Sequence, residues 1–194
     1  MISFDEYIRK IIHLFSLIIP FGYLYLITDK YVMVQILIVL NIIFLFFDIT
    51  RHRIVWIQSI FKYFFNDMLR GHEQRGHLTG ATWVIIGSLI SILIFTKYVA
   101  VIALIFMSLG DTAAGLIGQK FGKHKVGTKT WEGFLAGLII CIIVAINFPF
   151  LPLKISLVGA LVAMIMELLP IPLDDNFKIP LGSGAIMMML STPI

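Results

Sequence analysis

Between positions 110 and 133 the chain reads GDTAAGLIGQKFGKHKVGTKTWEG. Asp111 lies inside an apolar segment, a glycine-punctuated loop with Lys120, Lys123, Lys125 and Lys129 follows, and Glu132 opens the next apolar segment. A carboxylate near the end of a membrane span is costly unless compensated, so its presence points to function. Carboxylates are ligands for Mg²⁺, and lysines beside free backbone N–H groups suit phosphate. Together they fit a phosphate-bearing ligand at a membrane surface.

The loop carries Gly118, Gly122 and Gly127. Glycine permits positive φ and close backbone approach, so the loop is expected to offer N–H groups as an anion-binding nest. Thr130 is expected to cap a helix starting near Trp131, whose N-terminus would also favour phosphate. Four lysines equally satisfy the positive-inside rule. There is no Walker sequence and no GxGxxG. Gly110, Ala114 and Gly118 form a small-residue face that another helix or a ligand can approach closely.

A second group lies near the C-terminal end of the sequence. Glu167 falls in an apolar run, and LLPIPLDDNFKIPLGSG follows it. Asp174, Asp175 and Asn176 offer oxygen donors for Mg²⁺, or simply make a turn. Pro170, Pro172 and Pro180 stiffen this crossing. Arg9, Lys10 and His13 sit at the inner end of the first apolar stretch, and Glu73 has basic neighbours in Arg70 and Arg75. His72 and His77 lack a zinc spacing.

The elements that must position these groups are membrane helices. The chain is 59% hydrophobic and 13% charged, with a mean hydropathy of +0.99, which excludes an ordinary soluble domain. Apolar stretches at 11–28, 31–49, 80–97, 98–117, 132–148, 154–169 and 178–193 each approach the roughly 20 residues that cross a bilayer, the last two being short. Segment 51–77 is too polar to span, and its apolar side chains recur at helical spacing, as in a helix lying in the interface or one packed against the bundle. The expected fold is therefore all-α: one polytopic membrane domain over residues 1–194, with about seven transmembrane helices and an interfacial helix. Twelve of the 15 Lys and Arg fall on the side shared by the N-terminus and the loops at 50–79, 118–131 and 170–177, so that side is expected to be cytoplasmic. The net charge of +4 needs no nucleic acid to explain it. The lone Cys141 excludes an internal disulfide, and no cleavable signal peptide is evident.

Several separated stretches resemble one family. GD followed by spaced Ala and Gly at 110–118, then Lys129-Thr130 and Glu132-Gly133, is similar to the segment of CTP-dependent lipid kinases: the dolichol kinase, phytol kinase and eukaryotic-type diacylglycerol kinase group. RKIIH at 9–13, the stretch from Glu73 to Gly80, and ELLPIPLDDNFKIPL at 167–181 resemble that family's flanking segments, so the likeness runs over nearly the whole chain. The family is itself similar to phosphatidate cytidylyltransferases. CDP-alcohol phosphotransferases are set aside, because Gly115, Gln119 and Gly122 offer none of the further aspartates they need.

The resemblance implies transfer of the γ-phosphoryl of CTP to a lipid alcohol, a polyprenol or diacylglycerol, with Mg²⁺. The expected catalytic groups are Asp111, Lys129 and Glu132, the last to orient Lys129 or the cation, and Asp111, Asp174 and Asp175 are expected to bind Mg²⁺ or to activate the lipid hydroxyl. Nucleotide contacts are expected from Lys120, Gly122, Lys123, Lys125, Gly127, Thr130, Arg70 and Glu73. CTP itself is implied by the resemblance alone, since no residue here reads cytosine. The rival enzyme is a phosphatidate cytidylyltransferase, which would need extra cations such as Arg9, Lys10, Arg70 or Arg75 beside the acceptor phosphate. A small transporter is the remote alternative. It would spread polar residues through mid-depth, whereas here Asn41 is one of few deep polar side chains.

Overall fold

The computed structural model describes residues 4–51, 53–59 and 77–191, with the backbone alone for 4–6. A helix occupies each of the seven apolar stretches. The first starts as α1 (Phe4–Leu14) and continues through a 3₁₀ turn (Phe15–Leu17), a short α turn (Ile18–Phe21) and a π turn (Gly22–Leu26). Then come α2 (Lys30–Thr50), α3 (Gly80–Ile94), α4 (Lys97–Ile105), a π turn (Phe106–Gly110), α5 (Asp111–Phe121), α6 (Trp131–Ile146), α7 (Leu153–Leu168) and α8 (Asp175–Ser191). Three helical runs, Tyr7–Leu26, Lys97–Phe121 and α2, are long and apolar enough to cross a membrane. The others have 15 to 17 residues, about 24 Å of helix against a hydrocarbon core of about 30 Å.

The run Lys97–Phe121 is the axis of the bundle. Its residues 99–107 are at most 4% exposed, and α3, α6, α7, α8 and the first helix all pack on it or on its π turn. Of its most apolar window 72% is buried, against 22% for α2. α2 instead displays Val39, Ile42, Phe46 and Ile49 outward, an apolar face suited to lipid rather than water. Charge at the end of the axial helix is thus delivered into the protein.

Two differences from the all-α expectation bear on the site. The lysine loop folds into a small antiparallel hairpin, β1 (Lys125–Val126) with β2 (Lys129–Thr130), paired Lys125 to Thr130 and Val126 to Lys129. Gly127 makes its tight turn at φ +60°, a conformation that glycine adopts without a Cβ penalty. Also, α8 begins three residues before the expected span. Asp174 caps it: its Oδ1 accepts from Asn176 N at 2.9 Å, and its carbonyl accepts from Lys178 N at 3.0 Å. Most of the expected interfacial helix, with Arg70 and Glu73, lies outside the described residues. Residues 55–59 at its start are helical, with Ile57 buried.

Candidate active site

Asp111 follows the π turn directly. An extra residue in a helical turn rotates everything beyond it, and such turns recur at functional sites. Ser108 in that turn is pinned to the first helix by a 2.6 Å hydrogen bond with Ser16. That contact brings Lys10 alongside. Lys10 Nζ donates to Asp111 Oδ2 at 2.7 Å and to the Asp111 carbonyl at 3.1 Å. His13 Nε2 lies 3.7 Å from the same Oδ2. Both members of the Lys10–Asp111 pair are buried.

A second ammonium joins the remaining acids. Lys129 Nζ donates to Glu167 Oε1 and to Asp175 Oδ2, each at 2.6 Å. Lys178, buried one turn along α8, stands 2.9 Å from Asp175 Oδ1 and donates to the Leu169 carbonyl at 2.8 Å. Burial opposes the charge on Lys129, but the carboxylates of Asp175, Asp111 and Glu167 outweigh it and hold its pKa above the ordinary lysine range.

Asp111, Glu167 and Asp175 each offer an oxygen, and these oxygens lie within 4.8 Å of one another. Oxygen-only donors at that spacing fit a hard divalent cation. One further observation favours that fit: Glu167 Oε2 is buried and has no hydrogen-bond partner among the described residues, an arrangement that is costly unless something binds it. Lys10, Lys129 and Lys178 already balance the three acids. An incoming triphosphate would therefore need additional positive charge.

Asp111, Glu167, Asp175, Lys10 and Lys129 line a cavity of about 590 Å³. Apart from Ala114, every residue in its wall is glycine, polar or charged, including Arg9, Gln119 and Lys125. Close packing of α5 on α6 through Gly118 and Gly133 forms one side. Gly115 leaves room for Lys10, because a Cβ there would stand 2.7 Å from its Nζ.

The expected site residues divide accordingly. Asp111, Lys129 and Asp175 converge, and Gly122, Lys125 and Thr130 line the same cavity. Glu132 is elsewhere: its carboxylate takes the His124 backbone N–H at 3.3 Å and lies 2.7 Å from His124 Nδ1, bracing the loop rather than orienting Lys129. Lys120 lies over the Phe121 ring, and Lys123 and Gly127 are exposed on the loop. Asp174 is a helix cap, and Glu167 takes the place beside Asp111 and Asp175 that had been expected of it. The loop is not an open nest either. Hairpin pairing and Glu132 engage its backbone, and Thr130 Oγ1 caps α6 by accepting from Gly133 N at 3.1 Å. Lys10 and Glu167 are the residues sequence reasoning undervalued. Each had a signal, a basic residue and an acid within apolar helices, but pairing across 101 and 38 positions is visible only in three dimensions.

Known proteins give the site a context. The chain is 30% identical over 136 residues to CTP-dependent diacylglycerol kinase 1 of Saccharomyces cerevisiae, covering 56% of this chain and 47% of that protein. It is 29% identical over 98 residues to the phytol kinase of Synechocystis, covering 45% and 42% respectively. An uncharacterized protein of Rickettsia prowazekii is 27% identical over 184 residues, covering 90% of this chain and 89% of its own. The matched stretch takes up under half of either kinase. No family model matches the chain, and no solved structure does. The chain is thus a relative of the CTP-dependent lipid kinases, the family its motifs resemble.

Proposed function

We propose that this protein is a membrane lipid kinase that transfers the γ-phosphoryl of CTP to a lipid alcohol at the cytoplasmic face. One observation carries the reading: three carboxylate oxygens within 4.8 Å of one another share a polar cavity with the Lys10 and Lys129 ammoniums. Phosphoryl transfer needs alignment and charge neutralisation more than covalent chemistry, and this set supplies both. Asp111, Glu167 and Asp175 would hold Mg²⁺, which when bound neutralises charge developing on the phosphates. Lys129 and Lys125 bind phosphate oxygens, Lys10 holds Asp111 in place, and the Asp175 carboxylate takes the proton of the acceptor hydroxyl as Lys129 and Lys178 turn to the phosphates. The relatives' names support CTP and a lipid alcohol, without choosing between phytol-like and glyceride acceptors.

A second reading, a phosphatidate cytidylyltransferase, draws support from Arg9 and Lys10 in the cavity wall, cations that a phosphate acceptor would require. Labelled CTP separates the two. Purified protein with a panel of lipid alcohols is expected to move γ label into lipid, whereas α label in lipid with phosphatidate means the rival. The cytoplasmic placement rests on the twelve inner cations. Single cysteines introduced at 123 and 174 are expected to react from the same side, the cytoplasmic one, and labelling from opposite sides would refute that topology.

A further inference from the structure

The site has a second cavity, of about 360 Å³, whose wall adds a run of apolar side chains to the polar groups His77, Asp174 and Lys178. It shares Thr128, Lys129 and Asp175 with the polar cavity, and these residues form the partition between the two. Beyond the partition its wall is largely apolar: Leu78, Trp83, Val126, Leu168 and the loop 169–173. At its foot Lys178 ties Asp175 to the Leu169 carbonyl.

The loop itself is unusual. In Leu-Pro-Ile-Pro-Leu the three aliphatic side chains are exposed, by 39%, 38% and 47%, at the charged end of the bundle. Its backbone is stiffened by two prolines and by successive tight turns, Ile171 N to Leu169 O and Leu173 N to Ile171 O, both 2.8 Å. A rigid apolar lip beside a row of charges is out of place in water but well placed where acyl chains meet headgroups. Trp83 faces the same cavity and is braced edge-on by Phe177 at 5.7 Å.

We propose that this second cavity is the acceptor subsite. It takes the hydroxyl-bearing end of the lipid alcohol, with the chain leaving over the 169–173 lip and Lys129 and Asp175 shared with the phosphate cavity. The proposal rests on the lipid-kinase reading above. In-line transfer needs the donor phosphates and the acceptor oxygen on opposite sides of one phosphorus, and two cavities meeting at one ammonium and one carboxylate provide that arrangement. In the step, the alcohol oxygen bonds to the γ-phosphorus. The bond from that phosphorus to the bridging oxygen breaks, its electron pair leaving on CDP, and the hydroxyl proton passes to the Asp175 carboxylate.

The experiment measures KM for a prenyl alcohol and for CTP in mixed micelles, for the unaltered protein and for Ile171→Asn and Trp83→Ala. Both variants are expected to raise the KM for the alcohol by about tenfold or more, the value of one lost apolar contact, while KM for CTP stays within about twofold. A rise in the CTP KM alone would mean that the cavity holds the nucleotide base, and no change in either would mean that it holds no substrate. Each result overturns the proposal. Photocrosslinking of the unaltered protein with a diazirine-bearing long-chain alcohol gives a readout that needs neither turnover nor a folded variant. Adducts on Trp83 or the 169–173 loop are expected, and adducts confined to the lipid-facing side of α2 would overturn the proposal. If no alcohol accepts γ label yet these adducts form, the kinase reading fails while the lipid subsite stands.

Discussion

Two buried carboxylates in this molecule look alike in sequence and differ in everything that decides their use. Asp48, near the end of α2, has Oδ2 filled by Thr79 N at 2.8 Å, Thr79 Oγ1 at 3.0 Å and Thr82 Oγ1 at 2.6 Å, with Arg51 Nε 3.6 Å from Oδ1. Arg51 in turn donates to the His77 carbonyl at 2.7 Å. Three short hydrogen bonds thus fill Oδ2, and they clamp α3 to α2. Asp111 instead meets one ammonium at the edge of a cavity, in a group that includes a carboxylate oxygen unpartnered among the described residues. A buried acid whose partners are short and fixed holds structure, whereas one whose partners can be exchanged for a ligand is available for chemistry.

The sharpest way to break this contrast is to make the same change at both positions. Asp111→Asn is expected to lower kcat by about 10³-fold, the scale of a lost acid–base or charge-stabilising group. The fold should survive, because Lys10 keeps the Asp111 carbonyl and can swing into the cavity. Asp48→Asn should do the opposite, lowering the melting temperature while kcat per folded molecule stays within about twofold. Near-normal turnover in the first variant would remove Asp111 from the active site.

Lys129→Ala is expected to cost about 10²-fold in kcat/KM for CTP, and Lys97→Ala almost nothing. Lys97 merely lies over the Tyr23 ring and approaches the Thr28 carbonyl at 3.4 Å. Equal effects would reduce the lysine loop to a topology signal. Glu167→Gln should lower activity about tenfold and raise the Mg²⁺ concentration needed for half-maximal rate, because an amide is a poor ligand for a hard cation. An unchanged Mg²⁺ dependence would leave Glu167 as a partner of Lys129 alone.

Gly115→Ala is a smaller perturbation. The new Cβ would displace only the tip of Lys10, so turnover should fall a few-fold, roughly, with the melting temperature unchanged. A large loss of stability would mean that the glycine serves helix packing instead. The pH profile should change least. Lys129, with its pKa raised above the ordinary 10.5, stays charged until the pH climbs past that value. Its links to Glu167 and Asp175 are therefore kept below it and lost only above it, and no alkaline limb near pH 9 should disappear in Lys129→Arg.

Hydrophobic runs by themselves determined where the helices lie, because a segment that must satisfy its backbone in hydrocarbon has helix as its only local solution. The runs also disclosed Asp111, Lys129 and Asp175, since charge within or beside such runs stands out by its cost. What sequence could not supply is which charges meet. The π turn before Asp111, the hairpin that closes the lysine loop, and the capping by Asp174 that leaves Glu167 as the third acid all depend on contacts between helices distant in the chain. Segment 60–76, with Arg70 and Glu73, stays outside this comparison. Glu167 and Asp48 are equally conspicuous acids in apolar surroundings, and spacing along the chain does not distinguish them. Only the packing that surrounds Asp48 with hydroxyls, and faces Glu167 toward a lysine and a cavity, made one a clamp and the other part of the candidate site. A buried charge takes its role from the partners that tertiary structure brings to it.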